Sequence, residues 1–300
     1  MPLDEDKYPA ETGRRRFVKG VVGSAALASV GTGGAAAVNT TTSQSGGGGG
    51  PTQYVAIENT AGPAPRGMPI VPVEVTSDGE IRGVFPEAET VEVGGVERVV
   101  AETDMGGITY SSQWFQYCGI EQYEGAQPEA DADNLLRAAS GENYAWQEDL
   151  EAGEPLTVDM FEDYESWGNG IGKGGLGKPA AARWRSETEG AKTIPVQVLR
   201  TPELPKMING EQGFRDYSTI PQNIRSFLGA ATEENFMAWL NKCTHFCCVP
   251  GYKKLEGSAD FGGENGIGGE NGVYCQCHQS VYDPFSPTRV QFIARPRPTE

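Results

Sequence analysis

The stretch NKCTHFCCVPGYK, residues 241–253, places three cysteines and one histidine within six consecutive positions. A second stretch, YCQCHQS at residues 274–280, holds two further cysteines and the other histidine. Both histidines and five of the six cysteines of the 300-residue chain therefore lie between residues 243 and 278. Thiolate and imidazole groups concentrated in this way are typical of metal centres. The two stretches predict a metal site that the fold must bring together.

Zinc is one metal that such side chains bind, usually through four tetrahedral ligands. Each stretch supplies one cysteine–histidine pair and a further cysteine, which makes six candidate ligands: Cys243, His245, Cys248, Cys275, Cys277 and His278. Six ligands are more than one tetrahedral ion binds. A single structural zinc therefore leaves part of the set without a role.

The motifs CTHFCC and CQCHQSVYDP resemble the two cluster-binding motifs of the Rieske iron–sulfur proteins. The resemblance covers the chain from about residue 236 onward. In that family two cysteine thiolates bind one iron of a 2Fe–2S cluster and two histidines bind the other. The resemblance implies that Cys243 and Cys275 bind the inner iron, and that His245 and His278 bind the outer one.

The resemblance also implies roles for residues beside the ligands. Cys248 and Cys277 match the pair that forms a disulfide between the cluster loops in the exported, high-potential branch of the family, in keeping with an oxidising compartment. Ser280 and Tyr282 stand where high-potential members donate hydrogen bonds to the cluster sulfurs. Both residues together point to the upper part of the Rieske range of about −150 to +300 mV.

The chain departs from its relatives at Cys247 and Gln279, where most of them have glycine. Few residues follow the second motif, and Pro296 and Pro298 are the only candidates there for the proline-rich loop that usually covers the cluster. Two interpretations of Cys118 and Cys247 stay open. They are either buried thiols or a second disulfide that forms after export.

The N-terminal stretch GRRRFVKGVVGSAALASVGTGGAAAV, residues 13–38, resembles a twin-arginine export signal. Residues 20–38 approach the length of a membrane span. The small residues of GAAAVN also suit a cleavage site, so an anchor and a cleaved signal both stay open, with the anchor preferred. TTTSQSGGGGGPTQ, residues 40–53, is typical of a flexible tether because it has almost no side chains to bury.

The remainder of the chain is expected to be globular. Short β-branched or alternating apolar runs, bounded by Gly, Pro or Asp, predict strands at 69–75, 80–85, 90–101, 193–199 and 235–240. ADADNLLRAAS (130–140) and PQNIRSFLGAA (221–231) predict short helices. We expect an all-β fold with short helical insertions, which the resemblance refines to a Rieske-type antiparallel β-sandwich with a small cluster-binding subdomain.

The predicted organisation is a signal or membrane anchor with its tether over residues 1–53 and a Rieske domain over 54–300, with the cluster-binding part at about 241–285. The net charge of −17 argues against nucleic acid as a partner, since such a surface repels phosphates. Acidic groups spread along the chain indicate either an ordinary solvated surface or adaptation to high salt in a halophilic archaeon. We prefer the second interpretation.

The resemblance implies an electron carrier, a redox subunit rather than an enzyme alone. The leading hypothesis is the iron–sulfur subunit of a quinol-oxidising cytochrome bc-type complex. Its partners would be a cytochrome b-type subunit, quinol, and cytochrome c or a small copper protein as acceptor. The head domain would lie on the extracytoplasmic side of the cell membrane, with Phe246 shielding the cluster near the quinol. The alternatives are a relay subunit of a molybdenum enzyme such as arsenite oxidase, and a zinc-binding module at the same four residues.

Overall fold

A computed structural model gives the fold of residues 50–93, 95–127, 130, 132–140, 144–185, 193–262 and 267–294. The predicted export signal and most of the predicted tether, residues 1–49, lie outside these described residues, as do Pro296 and Pro298. Within the described part of the chain, no helix is long and apolar enough to cross a membrane.

The described residues form mainly β-strands. The strands are β1 (Gly50–Ala61), β2 (Met68–Val71), β3 (Val73–Val75), β4 (Ile81–Gly83), β5 (Ala88–Val93), β6 (Val96–Met105), β7 (Ile108–Ser111), β8 (Leu136–Ala138), β9 (Lys178–Trp184), β10 (Ile194–Arg200), β11 (Phe236–Leu240), β12 (Gly251–Tyr252), β13 (Val273–Cys275) and β14 (Ser280–Ala294). The α-helices are α1 (Leu204–Asn209) and α2 (Gln222–Ala231). Single 3₁₀ turns cover Ser112–Phe115, Ile120–Gln122, Glu124–Ala126, Ala145–Gln147, Val158–Phe161, Tyr217–Thr219 and Ser258–Asp260.

The largest sheet has nine strands in the order β12-β13-β14-β1-β2-β11-β10-β9-β8, and it curls. Two smaller sheets pair β3 with β4, and β5 with β6 and β7. All the described strand pairs are antiparallel. The prediction of an all-β fold with short helical insertions is confirmed.

The order of the central strands determines which loops meet. The start of β14 pairs with the end of β1, where Tyr282 faces Asn59. The end of β11 runs beside the start of β2, where Trp239 faces Ile70. The turn between β1 and β2, the loop after β11 and the hairpin before β14 therefore meet at one end of the sheet.

The strand β10 illustrates why these runs form the core of the sheet. Ile194, Val196, Val198 and Leu199 are fully buried, and β-branched side chains pack well on a pleated surface. Gln197 is also buried, but its Nε2 donates to the Ala180 carbonyl at 2.6 Å, so this polar group is satisfied. Burial of apolar surface at ~25 cal/mol per Å² stabilises this layer.

Two sequence-based expectations differ from the structure, one in the type of an element and one in a boundary. The predicted helix at 130–140 is wrong, because this stretch contains β8, whose Leu136 and Ala138 are buried and pair with β9. Asn134 just before it has a φ of 60°, outside the right-handed helical region. The predicted tether also ends earlier than expected, since residues 50–53 pair with β14 as part of β1. The helix predicted at 221–231 is confirmed as α2.

Candidate metal centre

The first ligand loop, residues 241–250, lies between β11 and β12. The backbone N–H of Cys243 donates to the Cys248 carbonyl at 2.7 Å, which folds the loop back on itself. The Asn241 side chain donates from Nδ2 to the Pro250 carbonyl at 2.8 Å and joins the two ends of the loop. These bonds hold the loop compact although no regular ladder runs through it.

The second ligand loop, residues 275–280, is the turn of the β13–β14 hairpin. Cys275 faces Ser280 across the hairpin, and the backbone N–H of Gln279 donates to the Cys275 carbonyl at 2.8 Å. Gln279 has a φ of 61°, and Cys247 of the first ligand loop has a φ of 62°. Glycine adopts this left-handed region most readily. The two positions where most Rieske proteins have glycine are thus positions whose backbone favours it.

The two ligand loops bring two buried thiols together. The Cys243 and Cys275 thiols lie close enough to shift each other's pKa in opposite directions, and the backbone N–H groups of the two residues that follow at positions two and three further along each loop favour the thiolate form. The hydrogen bond with Cys275 lowers the pKa of Cys243 to about 5, although burial opposes this shift. The same bond raises the pKa of Cys275. Opposite shifts of this kind are expected where two neighbouring thiols interact strongly.

Tyr282 and Ser280, both on β14, are buried beside the ligand loops. The Tyr282 hydroxyl donates to Cys243 Sγ at 3.2 Å and accepts from the backbone N–H of Thr244 at 3.0 Å. Ser280 Oγ accepts from the backbone N–H of Ala64 at 3.2 Å. Tyr282 thus contacts a predicted iron ligand directly. Donation from Ser280 to a cluster sulfur stays a prediction.

The two imidazoles also lie side by side. The ring centroids of His245 and His278 are 4.7 Å apart, and the Phe246 ring lies 4.4 Å from the first and 5.0 Å from the second. His278 is exposed, His245 is half-buried, and Phe246 is 65% exposed. The Nδ1 atom of His245 is buried and has no hydrogen-bond partner. Such an orphaned atom is costly, and a metal bound at Nδ1 would satisfy it.

Two disulfides meet in the first ligand loop. Cys248 and Cys277 are bonded with their Cα atoms 6.8 Å apart, which confirms the predicted crosslink between the ligand loops. Cys118 and Cys247 form a second disulfide with a Cα–Cα distance of 5.4 Å, which decides between the two interpretations of this pair. The two cysteines left free are the two predicted iron ligands.

A third loop, which sequence reasoning missed, contacts both ligand loops. This proline loop, residues 62–67 with the sequence GPAPRG, is the turn between β1 and β2. Thr244 Oγ1 donates to the Arg66 carbonyl at 2.6 Å, and Ala64 donates to Ser280 as described above. The proline-rich loop was instead expected after the second motif, at Pro296 and Pro298. Two prolines flanked by glycines at 62–67 were the signal that could have found it.

Glycine is required where the proline loop meets the second ligand loop. Gly62 has a φ of 82°, and a Cβ atom there would lie 2.5 Å from the Gln279 carbonyl oxygen and 2.6 Å from Ser280 Cα. Contacts this short between a Cβ and backbone atoms do not occur without displacement of one of them. The close approach of the two backbones therefore depends on this glycine.

A compact group of three sulfurs overlaps the predicted ligand set only at Cys275. The Sγ atoms of Cys248, Cys275 and Cys277 all lie within 4.8 Å of one another. Two of these sulfurs are joined in a disulfide, so the group offers a single thiol. The other predicted ligands belong to no comparably compact group within the described part of the chain.

Comparison of the chain with protein-family models, with curated proteins and with solved structures gave no match.

Proposed function

We propose that this chain is an electron-transfer protein that holds a Rieske-type 2Fe–2S cluster, and that it is the iron–sulfur subunit of a quinol-oxidising cytochrome bc-type complex. The observation that carries the proposal is the pairing of two free thiols in one part of the site with two adjacent imidazoles in another. When bound, such a cluster supplies a one-electron redox couple. Cys243 and Cys275 supply the thiolates, and His245 and His278 supply the imidazoles.

The hydrogen bonds to sulfur support a high-potential site. The Tyr282 hydroxyl donates to Cys243 Sγ at 3.2 Å, and the backbone N–H groups near both sulfurs favour the thiolate form of each. Donors directed at ligand sulfurs stabilise added negative charge, so they favour the reduced state of a metal centre. The burial of Cys243, Cys275 and Tyr282 keeps water from competing for these bonds.

The spread of the ligand atoms favours two metal ions over one. The ligands of a single tetrahedral zinc lie ~2.0–2.3 Å from the ion and therefore less than about 4 Å from one another. In this site the thiols contact each other and the imidazoles contact each other, but the four side chains form no compact group. A dinuclear centre with thiolates on one ion and imidazoles on the other suits this division.

The exposed end of the site supports a quinol as the electron donor. The imidazole edge of His278 and the ring of Phe246 are exposed, and Val249 nearby in the chain is 59% exposed. An imidazole nitrogen that does not bind metal can accept a hydrogen bond from a quinol hydroxyl and then take its proton. The apolar side chains would contact the quinone ring and the surrounding partner surface.

The two disulfides support function in an oxidising compartment. We place the domain on the extracytoplasmic side of the cell membrane, with a cytochrome b-type subunit as its neighbour and cytochrome c or a small copper protein as its acceptor. The twin-arginine-like stretch at residues 13–38 would supply the export signal that this location requires, either as a retained anchor, which we prefer, or as a cleaved signal.

Purification of the full chain from membranes tests the proposal. We expect about two iron and two sulfide per chain, and an EPR signal at low temperature after reduction. Copurification with haem would support the cytochrome b-type partner. Copurification with molybdenum instead would support the relay subunit of a molybdenum enzyme, and zinc without iron would reject the cluster.

A further inference from the structure

A segment outside both cysteine–histidine motifs holds the first ligand loop in place. In this segment, residues 117–123, the Tyr117 hydroxyl donates to the Lys242 carbonyl at 3.0 Å and lies 3.5 Å from the Leu240 carbonyl. Lys242 in turn donates from Nζ to the Tyr123 hydroxyl at 3.2 Å. The segment therefore contacts the backbone and a side chain immediately before the ligand Cys243.

The same segment contacts the ligand loop on both sides of its histidine. Cys118 is disulfide-bonded to Cys247, two positions after His245, and Cys118 Sγ also lies 3.6 Å from the Cys243 carbonyl oxygen. A disulfide sulfur has no proton to donate, so this last approach is a packing contact. The stretch that carries both ligands of the first loop is thus bracketed by contacts with residues 117–123.

The 117–123 segment is itself anchored in the core. Ile120 is fully buried. Trp114, in the 3₁₀ turn just before the segment, is buried with its ring 5.1 Å from Tyr110 and 5.5 Å from Phe227 of α2. Contacts made by the segment therefore tie the first ligand loop to the hydrophobic core of the protein.

The crosslink joins two residues in an unusual backbone conformation. Cys118 has a φ of 56° and Cys247 a φ of 62°, both in the left-handed region that disfavours residues other than glycine. Such conformations persist where the surrounding structure holds them. Without the disulfide, Cys247 is free to relax, and its relaxation would move the ligands His245 and Cys243 in the same short loop.

We propose that residues 117–123 are a positioning element for the metal centre, which acts on Cys243 and His245 through the Cys118–Cys247 disulfide and the Tyr117 hydroxyl. The inference rests on the proposed function only for the identity of the metal, since any ion held by these two ligands would respond. It assigns a functional role to a disulfide whose second cysteine, Cys118, lies outside both motifs.

Two double variants of the full metal-loaded protein test this role. C118S/C247S removes the crosslink and leaves a residue with a Cβ at the left-handed position, whereas C118S/C247G removes the crosslink and permits that conformation. We expect metal release to a chelator to become at least tenfold faster in C118S/C247S. Metal release from C118S/C247G should return most of the way to the slow wild-type rate. The EPR line shape should likewise differ more from wild type in C118S/C247S than in C118S/C247G.

A destabilised control separates positioning from general stability. Val198→Ala truncates a fully buried side chain in β10, away from the ligand loops, and serves as a variant of lowered melting temperature. Release from C118S/C247S that is no faster than from Val198→Ala, or equal to the wild-type rate, would overturn the inference and leave the metal centre standing. A wild-type protein that binds no metal would reject the proposed function and this inference with it.

Discussion

The Tyr282 hydroxyl donates a hydrogen bond to Cys243 Sγ at 3.2 Å, and both side chains are fully buried. Tyr282 belongs to β14, the strand that follows the second ligand loop, whereas Cys243 belongs to the first ligand loop. One hydroxyl therefore links the two halves of the site at a buried sulfur. The register of β14 against β1 and β13 determines where this hydroxyl lies.

Tyr282→Phe should lower the reduction potential of the loaded protein while the cluster still assembles. Hydrogen bonds to charged groups contribute about 1.5–3 kcal/mol. A differential stabilisation of ~1 kcal/mol corresponds to a shift of about 40 mV for a one-electron couple. We expect voltammetry to show a downward shift of several tens of millivolts. The control is Tyr252→Phe, which removes a buried hydroxyl that has no hydrogen-bond partner; equal potentials in both variants and the wild type would contradict the prediction.

Ser280→Ala should lower the potential by a smaller amount if the hydroxyl donates to a cluster sulfur. The same change removes the acceptor for the backbone N–H of Ala64 and leaves that group unsatisfied. We therefore also expect a modest loss of thermal stability, on the order of 1 kcal/mol. Voltammetry and thermal unfolding distinguish the two effects, and an unchanged potential with lowered stability would assign Ser280 to the proline loop alone.

Replacement of any predicted ligand should abolish the cluster. The variants are Cys243→Ser, His245→Ala, Cys275→Ser and His278→Ala. Each removes a ligand that no other side chain can supply, because the chain has only two histidines and its other cysteines are crosslinked. Iron analysis and visible absorbance provide the measurement. A variant with the full iron content and an unchanged spectrum would reject that residue as a ligand.

Both disulfides should be present in the exported protein and should survive mild reduction. Peptide mapping without reduction should recover Cys248 linked to Cys277, and Cys118 linked to Cys247. The crosslinks close loops of different length, and both lower the conformational entropy of the unfolded chain. Each should raise the free energy of unfolding by an amount on the order of 2–4 kcal/mol. Detection of all four cysteines as free thiols would contradict the structure at this point.

Gly62→Ala should loosen the contact between the proline loop and the second ligand loop. A Cβ atom at this position would lie 2.5 Å from the Gln279 carbonyl oxygen. Gly79→Ala is a matched control, because Gly79 has a similar φ of 80° but nothing within 4 Å of its Cβ position. Both variants bear the backbone cost of a left-handed alanine, about 1–2 kcal/mol. Only Gly62→Ala should accelerate metal release, and equal release from both variants would argue against the contact.

Local patterns in the sequence predicted the parts of the fold that local physics controls. The alternating run at 193–199 lies in strand β10 (Ile194–Arg200), and the helix predicted at 221–231 is α2, which begins one residue later at Gln222. The helix predicted at 130–140 was wrong. The pairing of Leu136 and Ala138 with β9 outweighs the helix-favouring residues of this stretch, and β9 lies too far along the chain for a local pattern to reveal the pairing.

The same limit applies to the candidate site. The concentration of thiols and imidazoles predicted the candidate ligands, because these residue types are rare elsewhere in the chain. The partner of Cys118 lies 129 positions away, and spacing does not specify which cysteines pair. The bond between Thr244 and Arg66 spans 178 positions. Such contacts follow from the strand order of the sheet, which the short apolar runs did not reveal.

The pairing of β1 with β14 has a consequence for biosynthesis. A ribosome makes β1 early, yet this strand has its longest pairing with β14, from Gly50 opposite Ala294 to Ala61 opposite Val281. A growing chain therefore carries an incomplete sheet edge, and neither the proline loop nor the first ligand loop can meet the second until translation has passed residue 280. Contacts of such high sequence separation form slowly. A metal held by both ligand loops would therefore be inserted only after synthesis, and until then the unfinished chain exposes a strand edge that can pair with other chains.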